Sequence, residues 1–267
     1  MTTSRGGRLS GIDGVCAVIT GAANGIGAAH ADAFASAGAS VACLDIDKAG
    51  ARRVADGIAR RRVQSIAIHA DVTSFQSMRE AAATARETLG PCRHLIANAG
   101  IIGPLGPTAD TDENARRRTL DVDVTGVTSP VKAFVTQVCD ESGTIMIASL
   151  VSGLRGWSGS IAYHASKHAV IGPMRSWAND FATHGVRVNA VYPGRVDTAM
   201  IDIQAEANGL SHSESESLRA KDQLVERFLA PQEVADAVIW VSSDPAAMVN
   251  AVALPVDGGL IEPTMPS

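Results

Sequence analysis

The sequence predicts a single α/β domain built on a doubly wound parallel sheet of seven strands with helices on both faces, and three observations predict it. Seven short β-rich runs alternate with longer, Ala-rich helical patterns along the chain. The runs are nearly continuous in apolar character, as strands covered on both faces must be. A glycine-rich turn follows the first run directly and opens into an Ala-rich segment, the order expected at the head of a right-handed strand–helix–strand unit. With 267 residues, 46% hydrophobic and 19% charged, the chain can bury a substantial core and carries no bias toward disorder. No internal repeat, low-complexity tract or Pro/Gly/Ser linker divides it, so residues 1–267 are expected to form one domain.

The first run, Val15–Thr20, leads into Thr20, Gly21, Ala22, Ala23, Asn24, Gly25, Ile26 and Gly27. Glycines in such a turn let the backbone approach a pyrophosphate, and the helix that follows supplies N–H groups and partial positive charge. The spacing G-x-x-x-G-x-G is one residue longer than the common G-x-G-x-x-G, but its place between strand and helix points to a dinucleotide and to a Rossmann fold. The second run, Ser40–Asp45, ends in Asp45, about 20 residues past the glycines, where an acid can accept hydrogen bonds from ribose hydroxyls and repel a 2′-phosphate. NAD is therefore the expected cofactor. Asp47 reads instead as the cap of the next helix.

The remaining runs are Gln64–His69, Arg93–Asn98, Thr144–Ser149, Val186–Tyr192 and Ala251–Val256. Between Thr198 and Ala230 the rhythm breaks. The segment turns polar and acidic around His212–Glu216 yet keeps Met200, Ile201, Ile203, Leu224 and Phe228. Its charged face suits a solvated helix, and its position after a late strand suits a substrate lid over residues 198–230.

The net charge of −5 argues against a nucleic-acid or anionic-membrane surface and favours a small-molecule partner. Met1–Gly14 carries Arg5 and Arg8 but no apolar run of a secretion signal, and no stretch approaches the roughly 18 apolar residues of a membrane span. Cys16, Cys43, Cys92 and Cys139 are widely separated with no CxxC pair, which fits buried free thiols of a reducing cytoplasm and neither a metal site nor a disulfide framework.

Tyr163 and Lys167 stand four residues apart on a helical pattern and so share one face. An ammonium beside a phenol favours the phenolate, bringing a group of ordinary pKa about 10 toward general-base work on a hydroxyl or carbonyl.

Together these motifs resemble the classical short-chain dehydrogenase/reductases, and the resemblance covers nearly the whole chain. It places the cofactor on Gly21, Asn24, Gly25, Ile26 and Gly27, with Asp71 toward the adenine amino group and Val72 on its ring. Asn98, Ala99 and Gly100 look like the family's Asn-Ala-Gly signature, and Tyr163–Lys167 is its Tyr-x-x-x-Lys pair. Pro193 and Gly194, followed by Val196 and Thr198, resemble its nicotinamide-side loop, and Val256–Gly259 its C-terminal strand and turn. The resemblance also implies a homotetramer. The runs His168–Arg175 and Asp197–Ile201 look faintly like the carveol-type, terpenoid-alcohol branch.

Two positions depart from the pattern. The family's serine usually precedes the tyrosine by 13 residues, where this chain has Leu150; Ser149, at the end of a strand, is the expected equivalent after a one-residue insertion, with Ser152 the fallback. Asp123 stands where the family commonly has asparagine, a residue that props a helix kink and joins a water relay to the lysine; an ordinary surface acid is the other reading. The implied activity is reversible hydride transfer between NAD(H) and a secondary alcohol or ketone. In it Tyr163 is the general acid/base, Ser149 orients the substrate oxygen, and Lys167 lowers the Tyr163 pKa and holds the nicotinamide ribose. Leu150, Leu154, Trp157, Met200 and Ile201 suggest an apolar substrate body. A keto-acyl reductase and a catalytically silent redox sensor or scaffold are the alternatives.

Overall fold

The computed structural model describes residues 9–261, so Arg5, Arg8 and the rest of the first eight residues lie outside it. The chain runs β1 (Cys16–Thr20), α1 (Gly25–Ser36), β2 (Ser40–Asp45), α2 (Lys48–Ala59), β3 (Ser65–His69), α3 (Phe75–Leu89), β4 (Cys92–Ala97), α4 (Glu113–Leu120), α5 (Gly126–Asp140) and β5 (Thr144–Ala148). It continues with α6 (Ile161–Ala169), α7 (Ile171–Asp180), β6 (Arg187–Pro193), α8 (Ala199–Glu206), α9 (His212–Arg219), α10 (Pro231–Ser242) and β7 (Ala253–Val256). The strand order is β3-β2-β1-β4-β5-β6-β7 and every pairing is parallel.

The apolar runs are strands because only burial on both faces can use them. All five residues of β1 and all five of β5 are buried, whereas the edge strands β3 and β7 are partly exposed. One face of the sheet packs against α3, α5 and α7 through Met78, Phe134 and Met174. The other packs against α1, α2 and α10 through Phe34, Ile58 and Val238.

The strand bounds differ from the sequence reading by one or two residues. Asn98 and Ser149 fall just past the ends of β4 and β5, which frees their side chains to face the site. β7 begins at Ala253, because Ala251 turns to a positive φ of 59°. Asp47 caps α2, accepting the Gly50 N–H. Cys16, Cys43 and Cys92 are buried free thiols, but Cys139 is only half-buried, since it lies near the end of α5. Burial pushes the Cys16 and Cys43 thiols up to about 12, which keeps them inert. Among the described residues no helix is long and apolar enough to cross a membrane.

The chain leaves β1 toward β2 on one side and returns at β4 on the other, so a crevice opens above the carboxyl ends of β1 and β4, where ligands bind in sheets of this kind.

Candidate active site

That crevice is clamped by side chains. The Thr20 hydroxyl oxygen accepts the N–H groups of Asn98 and Ala99 at 3.0 and 3.1 Å. The Asn98 amide donates back to the carbonyls of Thr20 and Gly21 at 3.1 and 3.3 Å. Gly27 must be glycine: a Cβ there would stand 1.9 Å from the Gly21 carbonyl oxygen. Gly21 and Gly25 take φ of +66° and +52°, which favour a residue without a side chain. Asn24 makes no side-chain cap to α1, so the helix opens on the cleft with its first N–H groups free of any side-chain partner among the described residues. A helix end of this kind accepts phosphate oxygens. At the adjoining end of β2 the Asp45 carboxylate accepts the backbone N–H groups of Ala23 at 2.9 Å and Asp47 at 2.8 Å, and is thereby fixed beside the glycine turn.

Tyr163 and Lys167 lie one turn apart on α6, both buried. The Lys167 ammonium is 5.3 Å from the Tyr163 ring centroid, donates to the Ala148 carbonyl at 3.3 Å, and lies 3.8 Å from the Asp123 carboxylate. The Tyr163 hydroxyl donates to the Met200 sulfur at 3.6 Å. The Ser149 hydroxyl donates to the Lys167 carbonyl at 2.8 Å, and Ser152 occupies the tight turn Val151–Gly153 that follows. Both serines border the same cavity. The loop beyond them is pinned by His164, whose Nε2 accepts the Trp157 N–H at 3.0 Å while Nδ1 bonds the Ser160 carbonyl.

Asp123 is no surface acid. It is fully buried in a π-helical turn, Asp121–Thr125, that joins α4 to α5. One oxygen accepts the Ile101 N–H at 2.8 Å and the other the Ser166 hydroxyl at 2.9 Å. Burial raises its pKa, against the pull of Lys167 and of these two donors. Burial also raises the Tyr163 phenol well above its ordinary range, and the Asp123 carboxylate raises it further. The expected lowering of Tyr163 by Lys167 is therefore not the net effect: the ammonium is shared with Asp123, and desolvation outweighs it.

One cavity of about 980 Å³ runs from the glycine turn past Tyr163 to α8 and α9. Gly21, Asn24–Gly27, Asn98–Gly100, Ser149, Tyr163, Lys167, Pro193, Gly194, Val196 and Thr198 all border it. Asp45, Asp71, Val72 and Asp123 do not. Asp71 spends one oxygen on the N–H and hydroxyl of Thr73, and Val72 packs where a side chain on Gly126 would otherwise stand. Of the apolar residues named from sequence, Leu150, Trp157, Met200 and Ile201 border the cavity; Leu154 ends the Val151–Gly153 turn and faces solvent. The sequence reading missed Arg195, Arg219 and Asn208 on the cavity wall. Arg195 lies inside the recognised Pro193–Thr198 loop and could have been singled out by its charge; the other two stand in a segment with no motif.

The family model described as Enoyl-(Acyl carrier protein) reductase matches residues 21–261. The chain is 37% identical over 91% of its length to 2-(S)-hydroxypropyl-CoM dehydrogenase 3 of Xanthobacter autotrophicus, covering 94% of that protein. It is 36% identical, over 91% of its length and 95% of the relative's, to cis-4-hydroxycyclohexanecarboxylate dehydrogenase of Sinomonas cyclohexanicum. Its structure resembles that of carveol dehydrogenase from Mycobacterium avium in complex with NAD, with a TM-score of 0.89 at 28% identity, covering 94% of this chain and 99% of the other.

Proposed function

The chain belongs to the short-chain dehydrogenase/reductase family, and from that premise we propose that it interconverts a secondary alcohol and a ketone with NAD(H), using Tyr163 as the general acid/base. One observation carries the reading: Tyr163, Lys167 and Ser149 border the same cavity as the glycine turn and the uncapped start of α1. The cleft fits a dinucleotide, since Gly27 admits no side chain and the amides at the start of α1 have no side-chain partner. Gly21–Gly27 would hold the pyrophosphate, Asp45 the adenosine ribose, Lys167 the nicotinamide ribose, and Pro193–Thr198 the nicotinamide side. Bound there, the nicotinamide ring supplies the acceptor or donor of the hydride.

In ketone reduction the protonated Tyr163 phenol, favoured by its burial, donates to the carbonyl oxygen as negative charge develops there. In oxidation the same oxygen takes the hydroxyl proton, and the Lys167 ammonium nearby supports the resulting phenolate. Ser149 must turn its hydroxyl from the Lys167 carbonyl to donate to the substrate oxygen, and it would then fix that oxygen's position. Residues 198–230, which carry α8 and α9, would serve as the lid. The names of the two relatives above, both dehydrogenases of hydroxy compounds, favour this reading over a silent sensor. A panel of cyclic and aliphatic secondary alcohols assayed for NADH formation tests it: turnover of any member ends the sensor reading, and none across the panel refutes the proposal.

A further inference from the structure

The cavity wall carries charge that acid/base chemistry does not use. Arg195, between Gly194 and Val196, is mostly buried, its side chain 16% exposed. It pairs one terminal nitrogen with Asp222 at 2.6 Å, while its Nε is buried with no hydrogen-bond partner among the described residues. Arg219, in the last turn of α9, is half-buried, and its side chain makes no hydrogen bond or ion pair among the described residues. Burial, and then repulsion from Arg195, lowers the Arg219 pKa against the pull of Asp222, a carboxylate already paired with Arg195. Among the described residues Asp222 is the only acid on the cavity wall, against Lys167, Arg195 and Arg219. Lys167 already has Asp123 and Ala148, so the uncompensated positive charge lies at the two arginines. Leu150, Met200, Ile201 and Leu218 contribute apolar surface to the same cavity.

We infer that the substrate of this site carries an oxyanion, a carboxylate or sulfonate remote from its carbinol carbon, received by Arg219 together with the Arg195 guanidinium. The inference rests on the dehydrogenase reading above and adds the substrate class to it. A buried guanidinium with a free donor pays its desolvation cost in the empty site and recovers it when an oxyanion arrives, because charge-assisted bonds to carboxylates are about twice as strong as neutral ones. A hydroxy acid would place its hydroxyl at Tyr163, its apolar middle against Met200 and Ile201, and its anion at α9, all of which border this cavity.

The test compares 4-hydroxycyclohexanecarboxylate and 5-hydroxyhexanoate with their carboxamides, in the presence of NAD. The acids are expected to exceed the amides in kcat/KM by about ten- to hundredfold, mainly through KM. In Arg219→Met the acid-to-amide ratio is expected to fall to within about threefold of one, and Arg219→Lys to restore part of it. Titration of the NADH complex with cyclohexanecarboxylate, which has no hydroxyl, is expected to show binding that Arg219→Met abolishes and that cyclohexanecarboxamide does not reproduce. Equal turnover of acid and amide, or an acid preference that survives Arg219→Met, overturns the inference. So does a loss of NADH affinity in Arg219→Met, which would assign the arginine to the cofactor. Carboxylate binding through Arg219 without oxidation of any alcohol would uphold this inference and refute the dehydrogenase reading; oxidation of neutral alcohols without carboxylate binding would do the reverse.

Discussion

Replacing NAD by NADP places a 2′-phosphate against Asp45, and the structure sets the scale of the cost. Both Asp45 oxygens are tied to backbone N–H groups, those of Ala23 and Asp47, so the carboxylate cannot swing away from an incoming anion. Two unit charges at 4 Å interact by about 1 kcal/mol in water and about 4 kcal/mol near a protein surface. Asp45 is half-buried and the phosphate is close to doubly charged, so discrimination of about 2–4 kcal/mol is expected. That is roughly thirty- to thousandfold in kcat/KM. The assay is initial-rate oxidation of one alcohol with each cofactor, in wild type and in Asp45→Asn. The amide keeps one acceptor oxygen, so one of the two backbone N–H groups loses its partner, at a cost of about 1 kcal/mol in stability. The preference is expected to drop by more than tenfold in the variant. Equal kcat/KM for the two cofactors in wild type, or an unchanged ratio in Asp45→Asn, would refute the role assigned to this carboxylate.

Asp123→Asn keeps an acceptor for the Ile101 N–H and removes the charge that raises Tyr163, so it is expected to retain activity and move the basic limb of the alcohol-oxidation pH profile to lower pH. Asp123→Leu strands that N–H and leaves the Ser166 hydroxyl only the Tyr163 carbonyl, so it should lose more rate; an unmoved profile in Asp123→Asn with full activity in Asp123→Leu would make the residue a bystander. Ser149→Ala is expected to lower kcat far more than Ser152→Ala, and the opposite order would put the substrate oxygen at the Val151–Gly153 turn. His30 and His94 are buried with pKa values lowered to about 3 and about 4, so the unfolded chain binds more protons below pH 6.5 and stability falls as pH falls. At pH 5 each histidine removes about 2 kcal/mol relative to neutral pH. His30 has no partner for either ring nitrogen among the described residues, so His30→Leu should flatten the decline in Tm between pH 7.5 and 5, and a parallel decline would contradict this.

Much of this molecule was legible in the sequence because its strands are buried on both faces and so leave nearly unbroken apolar runs. Each run lies within two residues of the observed strand. The glycine turn and the Asn98 clamp were legible for a different reason: steric and backbone hydrogen-bond demands there admit few residue types, and position relative to the strands identifies them. The burial of Asp123 was not legible, since an acid close behind a charged stretch reads equally as solvated; only the π-helical turn turns it inward against Lys167. The net direction of the Tyr163 pKa was not legible either. Spacing reveals the neighbouring lysine but neither the depth of burial nor the carboxylate that shares its charge. Arg195 and Arg219 are 24 residues apart in the chain and meet on one cavity wall only through the return of α9, a long-range contact that no local pattern encodes.

The central claim is that Tyr163 transfers the proton in a hydride-transfer reaction, and Tyr163→Phe tests it most directly. The substitution removes the hydroxyl and its bond to the Met200 sulfur while keeping the buried ring. NADH binding, followed by fluorescence titration, is expected to change by less than about threefold, while kcat for any alcohol that the wild type oxidises falls by about a hundred- to ten-thousandfold. A variant that binds NADH as the wild type does and still oxidises the alcohol within tenfold of the wild-type rate would show that another group carries the proton.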